Sequence, residues 1–337
     1  TTRRRNRCYP VSKHIVLPIP PIPTAAMSRL LKILALALGF LLVSAYGYGR
    51  VKNPEKRELT LAAREQAPGE FISLTDGATY YEVAGPDTGR VAVLVHGFSV
   101  PSYIWDSTFN ALAASGHRVY RYDLFGRGWS DRPDAKYDSA MYVNQLNELM
   151  DSLHITTKVD LVGLSFGGFV TGRFAAARPE RVRTLTLVDP VAQGRAMPGF
   201  LKTPVIGEWI WQVTQVPGMA EGQSSDFLHP ERYPTWADQY RTQMQFAGFG
   251  RSLLRSAINS MTVDFGALYK AVGATGIPVL LIWGKQDQTV PIALADVVRG
   301  GIPAVEFFPV DSAGHLPHIE QSATVHARMR SFFAAHP

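Results

Sequence analysis

Four runs of apolar residues, separated by helical patterns, most strongly constrain the fold of this chain. The runs are "VAVLVHG", "VDLVGLS", "VRTLTLVDP" and "IPVLLIWG", which begin at residues 91, 159, 182 and 277. The first run is apolar at nearly every position, as expected of a central strand that is buried on both faces of a parallel sheet. Strands that alternate with helices predict an α/β fold, with a mostly parallel central sheet flanked by helices.

The alternation stops between Asp189 and Ile277. This stretch is rich in Trp, Phe, Tyr and Met and has no strong strand pattern. We predict that residues 191–276 form a helical cap, inserted after the sixth strand, over one end of a core made of residues 70–190 and 277–337. Most of the aromatic side chains should form the cap's own small core, and a few facing inward would line an apolar pocket.

Positive charge is concentrated at the amino terminus. Seven cations and no anion precede residue 50, and removing these seven from the formal charge of +6 leaves −1 for the rest of the chain. The folded body is therefore not basic, and no nucleic-acid partner is expected. Cys8, the single cysteine, lies in the same region, so the body has no disulfide, no thiol nucleophile and no cysteine zinc site.

The amino-terminal region divides into three predicted parts. Residues 1–29 are predicted to be a disordered, basic and proline-rich tail, residues 30–49 an apolar segment, and residues 50–69 a linker. Residues 33–49 carry no charge, and this stretch is near the minimum length of about 17–20 residues that spans a bilayer. It fits a membrane anchor, which would make the protein membrane-associated, and equally a signal peptide ending on Ala45, which would make it exported.

A serine stands between a strand-like run and a helical pattern in "GLSFGG". Ser165 is the centre of a G-x-S-x-G pattern, with Gly163 before it and Gly167 after it. In this context the serine lies on a strained turn where neighbouring Cβ atoms would clash, and glycines relieve the crowding. Ser165 is therefore the candidate nucleophile.

A base and an acid follow in the order that this scaffold uses. His315 lies in a glycine-flanked loop after a strand-like run, and Asp287 follows another buried strand. Imidazole needs a carboxylate to fix its tautomer and to stabilise its charged form. Asp189 also ends a strand and remains an alternative acid. The lone H-x-x-H of His315 and His318 lacks a third placed ligand, so no metal and no cofactor are expected.

The oxyanion formed on attack needs preset N–H donors. The backbone amide of Phe98 follows a strand end, and that of Phe166 follows the candidate nucleophile directly, so both are candidate donors. We interpret His96 as a structural residue that holds the oxyanion loop. Asp123 and Arg127 are interpreted as residues that shape a turn near the pocket.

Over about residues 70–337 the chain resembles the α/β-hydrolase superfamily of serine hydrolases. The matching pieces are "HGF", "DLFGRGWSDRP", "GLSFGG", "WGKQDQTVP" and "AGHLPHIE". The resemblance implies Ser165 as nucleophile, Asp287 as acid and His315 as base, with the Phe98 and Phe166 amides as the oxyanion hole. It also implies a helical cap after Asp189.

The expected activity is hydrolysis of carboxylic esters with apolar groups through an acyl-enzyme intermediate, as in carboxylesterases and monoacylglycerol lipases. The substrate is then a small ester, and the apolar segment at residues 30–49 would suit one derived from lipid. Two alternatives remain open. One is a carbon–carbon bond hydrolase with the same triad, and the other is a ligand-binding receptor of the same fold that has lost turnover.

Overall fold

The computed structural model of the chain describes residues 24–194 and 196–337. The described residues divide into two compact units, one before and one after the bond between Arg50 and Val51. The predicted tail lies mostly outside the described residues, as does Cys8.

A single helix, α1 (Thr24–Lys52), contains the apolar segment predicted for residues 30–49. Its ends coincide with prolines, because Pro23 precedes it and Pro54 follows Asn53, and a residue before proline is disfavoured in helical conformation. Within the described residues, α1 is the one helix long and apolar enough to cross a membrane, and a signal sequence would have the same properties.

The second unit is built around an eight-stranded sheet. Its strands are β1 (Glu70–Leu74), β2 (Gly77–Ala84), β3 (Arg90–Val95), β4 (His117–Tyr122), β5 (Val159–Leu164), β6 (Val182–Val188), β7 (Val279–Gly284) and β8 (Glu306–Val310). Their order in the sheet is β1-β2-β4-β3-β5-β6-β7-β8. The β1–β2 and β2–β4 pairs are antiparallel and all others are parallel. The predicted α/β fold with a mostly parallel sheet is confirmed.

Twelve further α-helices belong to the described part of the second unit. They are α2 (Leu61–Arg64), α3 (Asp106–Ala114), α4 (Ser139–Ser152), α5 (Phe166–Ala177), α6 (Ile206–Thr214), α7 (Met219–Gly222), α8 (Trp236–Met244), α9 (Phe249–Ser260), α10 (Phe265–Gly273), α11 (Ala295–Gly301), α12 (Pro317–Glu320) and α13 (Ser322–Ala335). Short 3-10 helices occupy Ser102–Trp105, Pro179–Arg181, Gly199–Lys202, Val216–Gly218, Gln223–Asp226, Pro230–Arg232 and Ile292–Leu294. Helices α6 to α10 all lie between β6 and β7, and we call residues 191–276 the cap segment.

The centre of the sheet is buried on both faces, which explains its apolar sequence. Every residue of β5 and of β7 is buried. One hydrophobic cluster packs α4, α5, α10 and α11 on one face, and a second packs α3 and α13 on the other, together with parts of the cap segment. The parallel strands bring the loops after β3, β5, β6, β7 and β8 to one edge of the sheet, where such sheets bind ligands.

Candidate active site

Ser165 occupies a strained turn between β5 and α5. Its backbone angles are φ 52° and ψ −115°, in a region that non-glycine residues rarely adopt. Tertiary hydrogen bonds hold it there: its N–H donates to the Val188 carbonyl at 2.9 Å, and its carbonyl accepts from the Val191 N–H at 3.2 Å. The turn is thus fixed from β6, the neighbouring strand.

Two glycines make this turn sterically accessible, as the sequence predicts. A Cβ at Gly163 would lie 2.4 Å from the Thr171 Oγ1, and one at Gly167 would lie 2.2 Å from the Val95 carbonyl oxygen. Both distances are far below van der Waals contact, and the second obstacle is backbone. Glycine at 167 therefore lets α5 begin directly against the end of β3.

His315 and Asp287 meet at the same edge of the sheet. The His315 Nδ1 lies 2.7 Å from the Asp287 Oδ2, and both side chains are buried. The other oxygen of Asp287 accepts the backbone N–H groups of Thr289 and Val290, each at 2.8 Å. These bonds orient the carboxylate toward the imidazole, which fixes the tautomer that protonates Nδ1 and leaves Nε2 as the basic nitrogen.

Opposing influences act on the His315 imidazole. Burial by itself lowers its pKa, but the negative charge of Asp287, the hydrogen bond to that carboxylate and the charge of Asp226 outweigh burial. The net result is a pKa raised above the usual value of about 6.5. The environment therefore stabilises the imidazolium that a general base becomes after it accepts a proton.

Asp189, the alternative acid, lies beside this pair. Donor atoms of Asp189, Asp287 and His315 all lie within 4.8 Å of one another. Asp189 is fully buried; one of its oxygens accepts the Gly284 N–H at 2.8 Å, and the other has no hydrogen-bond partner among the described residues. Burial and the nearby charge of Asp287 raise the pKa of Asp189 well above its usual range.

These three residues are also the one group of donors in the described part of the chain with the spacing of a metal site. Two of the three are already bonded to each other, since the His315 Nδ1 contacts the Asp287 carboxylate. The arrangement is that of a hydrogen-bonded acid–base pair with a second carboxyl group behind it.

The loop that carries Phe98 is hydrogen-bonded to a buried arginine. Arg127 is fully buried, and its Nε donates to the Phe98 carbonyl at 2.8 Å while another nitrogen donates to the Ser256 Oγ at 3.0 Å. The guanidinium also lies over the rings of Phe98 and Phe166, which contact each other edge to face at 5.8 Å. Arg127 therefore shapes the turn, as predicted, and it also fixes the position of residue 98.

Neither the Phe98 nor the Phe166 amide donates a hydrogen bond to another group in residues 24–194 or 196–337. Phe166 is the first residue of α5, so its N–H has no acceptor within the helix. Phe98 lines the same cavity as Ser165, and Phe166 directly follows Ser165 in the chain.

The remaining histidines near the site are structural. The His96 Nδ1 lies 2.9 Å from the Gly97 carbonyl, so it carries the proton, and its Nε2 accepts the Leu124 N–H at 2.9 Å. Burial lowers the pKa of His96 to about 3, which keeps it neutral. His318 is bonded to the Ile104 carbonyl and packs on Trp105, at 4.5 Å between ring centroids. Both histidines position backbone and neither faces the nucleophile's cavity.

A cavity of about 190 Å³ joins the candidate nucleophile and base. Ser165 and His315 both line it, with apolar walls from Val100, Ile104, Leu164 and Leu316. The cap segment contributes Gly222, Gln223 and Asp226 to the same cavity.

Asp226 is a residue beside the candidate base that sequence reasoning missed. Its backbone carbonyl accepts the His315 N–H at 2.8 Å, and its carboxylate accepts the Thr289 hydroxyl at 2.7 Å. It lies in an irregular stretch of the cap segment, with no motif around it. Only a long-range contact reveals it, and none of the sequence signals used above reports such contacts.

Glu320, which lies near the excluded H-x-x-H motif, connects the cap segment to the base loop. One carboxylate oxygen accepts the N–H groups of Leu228 and His229 at 2.9 and 3.2 Å, and the other accepts the Gly314 N–H at 2.6 Å. The loop that carries His315 is therefore hydrogen-bonded to the cap segment through the Glu320 side chain, in addition to the direct bond from the His315 N–H to the Asp226 carbonyl.

The family follows from a match over most of the second unit. Residues 91–322 match the family model described as alpha/beta hydrolase fold. This chain belongs to the alpha/beta hydrolase fold family. The assignment confirms the resemblance drawn from the sequence motifs.

Relatives within this alpha/beta hydrolase family differ in activity. The chain is 26% identical to a 2-hydroxy-6-oxononadienedioate/2-hydroxy-6-oxononatrienedioate hydrolase of Paraburkholderia phymatum, over 81% of this chain and 98% of the relative. It is 24% identical to Lipase 3 of a Moraxella species, over 69% of this chain and 74% of the relative. A thermophilic esterase from Thermogutta terrifontis is 24% identical and superposes with a TM-score of 0.67, over 80% of this chain and all of that one.

Proposed function

We propose that this protein is a serine hydrolase that cleaves carboxylic esters with apolar groups through an acyl-enzyme intermediate. One observation carries the proposal: a strained Ser165 lines the same small cavity as His315, whose Nδ1 is bonded to Asp287 at 2.7 Å. A serine hydroxyl becomes a useful nucleophile only when a positioned base removes its proton, and the presence of His315 in the same cavity supports its assignment as that base.

The reaction then proceeds in two halves. His315 takes the proton of Ser165 as the Oγ attacks the ester carbonyl, and the oxyanion accepts hydrogen bonds from the amides of Phe98 and Phe166. The imidazolium next protonates the leaving alkoxide, which leaves an acyl group on Ser165. Water repeats the sequence and releases the acid. Asp287 orients His315 throughout and stabilises its charged form.

Asp189 has a supporting role in this proposal. Burial and the nearby charge of Asp287 raise its pKa well above the usual range, which favours its neutral form and opposes a second negative charge beside Asp287. Direct contact between the Asp287 carboxylate and the His315 Nδ1 favours Asp287 as the acid.

The charge of the cavity favours esters over dicarboxylate substrates. None of the described residues that line the cavity is Lys or Arg, and Asp226 is the one Asp or Glu among them. A substrate that carries carboxylates, such as the dioate named for the Paraburkholderia relative, would meet no counter-ion there. An uncharged apolar ester requires none, and Val100, Ile104 and Leu316 offer it apolar contact. Carbon–carbon bond hydrolysis of such dioates is therefore the second candidate.

Two measurements test the proposal. A fluorophosphonate probe should label the wild-type protein, and p-nitrophenyl esters of increasing acyl length should be hydrolysed, with the small cavity favouring short chains. Ser165→Ala should abolish both signals, whereas Ser331→Ala, an exposed serine of α13, should change neither. Unlabelled wild-type protein that binds esters without turnover would instead support the receptor alternative.

A further inference from the structure

An exposed apolar patch lies at the start of the cap segment's helices. Outside α1, the large apolar side chains exposed in the described residues are Leu61 and four residues of one short stretch, namely Phe200 (56%), Val205 (78%), Ile206 (58%) and Trp209 (38%). We call these four residues the apolar patch. Large exposed apolar groups rarely cluster by chance, and clusters mark surfaces that contact another molecule or a membrane.

The patch is one surface. A Cβ at Gly207 of α6 would lie 2.1 Å from the Leu201 carbonyl oxygen, so the 3-10 helix that carries Phe200 packs directly against α6. Ile206 and Trp209 are three residues apart in α6 and therefore lie on one side of it.

The backbone at the centre of the patch is strained. Val205 has φ 63° and ψ −54°, and the Ile206 N–H donates to the Pro204 carbonyl at 2.7 Å, which closes a three-residue turn of the rare, strained type. A β-branched residue is especially unfavourable at positive φ. Yet the turn directs the Val205 side chain into solvent, where it stabilises nothing in the folded chain.

The charge around the patch suits an anionic surface. Lys202 is exposed beside Phe200. Glu208, the one acid between residues 196 and 212, is paired with Arg255 at 2.8 Å. Lysine beside exposed aromatic and aliphatic side chains is the composition of segments that lie in the interface of a bilayer with anionic lipids.

The chain that leaves α1 is fastened to the helix that carries the patch. Asn53, the residue after α1, accepts a hydrogen bond from the Gln212 side chain of α6 at 2.6 Å. Two residues later the Glu55 carboxylate accepts the N–H groups of Gly248 and Gly250 at 2.6 and 2.7 Å. The polypeptide therefore enters the second unit at α6, one residue after the apolar helix α1 ends, and this continuity with a candidate membrane segment favours a membrane over a protein as the partner of the patch.

We propose that the apolar patch is a membrane-docking surface, with Phe200, Val205, Ile206 and Trp209 in the interfacial layer of the bilayer and Lys202 at the lipid phosphates. The cap segment is then held at the membrane, where an apolar ester can leave the lipid for the cavity. The evidence for docking is the apolar patch together with the hydrogen bonds of Asn53 and Glu55, whereas the delivery of an ester rests on the proposed function.

Site-specific labelling of the full chain tests the docking. In a Cys8→Ser background, Ile206→Cys and the control Ser331→Cys are each labelled with an environment-sensitive fluorophore and reconstituted into vesicles of phosphatidylcholine and phosphatidylglycerol. We expect the label at residue 206 to shift to shorter wavelength and to be quenched by spin-labelled lipid, and the label at 331 to do neither. Labels at 206 and 331 with the same emission wavelength and no quenching would overturn the proposal. A label at 206 that shifts to shorter wavelength but is not quenched would also overturn it, because that result indicates contact with protein and not with lipid.

Paired substitutions test the consequence for turnover. Ile206→Ser with Trp209→Gln should leave hydrolysis of soluble p-nitrophenyl butyrate unchanged and lower hydrolysis of a butyrate ester of a long-chain alcohol, presented in the same vesicles, about tenfold, since two apolar contacts with lipid are lost. Leu61→Ser, which removes an exposed apolar residue elsewhere, should lower neither rate. Equal loss with both esters, or no loss with the vesicle ester, would contradict docking. A wild-type protein that cleaves no soluble ester would contradict the proposed function and leave the labelling result standing.

Discussion

Two residues of this protein, Ser165 and Val205, directly precede helices α5 and α6 with φ angles of 52° and 63°. Ser165 is 8% exposed and is bonded through its backbone to β6 and to the residues after it. Val205 is 78% exposed, and a bond between its two immediate neighbours closes its turn. Strain at the first site is imposed by the packing of the whole sheet edge, whereas strain at the second is local.

The difference indicates whether the function of each strained turn lies inside the folded protein or requires another molecule. At residue 165 the turn presents a hydroxyl to a cavity that also contains an imidazole, so the benefit lies within the fold. At residue 205 the turn exposes an isopropyl group on the surface, so the strained turn has a function only if a membrane or another molecule contacts that group. Strain of this kind costs on the order of 1–3 kcal/mol per residue.

The largest effect should separate the two acids beside His315. Asp287→Asn keeps the shape but favours the wrong imidazole tautomer, so kcat for a p-nitrophenyl ester should fall roughly 10⁴-fold. Asp189→Asn should lower kcat less than about tenfold, because a neutral amide resembles a protonated carboxyl group and its oxygen still accepts the Gly284 N–H. The reverse ranking in steady-state kinetics would make Asp189 the acid.

Matched glycine substitutions compare the packing of the two turns. Gly167→Ala places a Cβ 2.2 Å from the Val95 carbonyl oxygen and should destabilise the protein by about 3 kcal/mol, since backbone must move. Gly199→Ala, beside Phe200, meets no atom within 4 Å and should leave the free energy of unfolding nearly unchanged. Denaturant unfolding measures both. Similar losses would show that the backbone beside Phe200 is as tightly packed as the nucleophile turn.

The pH dependence of turnover should report the cap segment's contribution to the base. His315 must be neutral to accept a proton, so kcat/KM should rise with pH through its raised pKa, with a midpoint above 6.5. Asp226→Asn removes one of the charges that raise this pKa and should move the midpoint to lower pH. Glu231→Gln, an exposed acid of the cap segment, is the control. An unmoved midpoint in Asp226→Asn would remove Asp226 from the electrostatics of the site.

The smallest effect concerns strain itself. Val205→Gly relieves the unfavourable angles and loses little burial, so it should stabilise the fold by about 1 kcal/mol after the entropic cost of glycine. The same substitution should weaken vesicle binding. Thermal unfolding of the protein without lipid measures the first part, and a lower midpoint would contradict the local origin of the strain. Ser165→Gly should also gain stability, but at the cost of all turnover.

The sequence was most informative where function depends on the sheet. Buried parallel strands have a continuous apolar pattern, so the positions of Ser165, Asp287 and His315 at strand ends followed from local signals. Local signals did not decide whether Asp189 or Asp287 is the acid, because β6 and β7 are neighbours and one of these acids follows each strand. Asp226, Glu320 and Glu55 act through contacts between segments distant in the chain, which no local pattern reports.

The contacts of Glu320 bear on how such proteins can be rebuilt. Chimeras that transplant a cap from one family member to another treat it as a module that sets specificity alone. Here one carboxylate grips the backbone at Leu228 and His229 and also the residue before His315. A transplanted cap that does not reproduce those two amide positions would remove hydrogen bonds that hold the His315 loop in place. The resulting chimera would then have a lower kcat with every substrate, in addition to an altered substrate specificity.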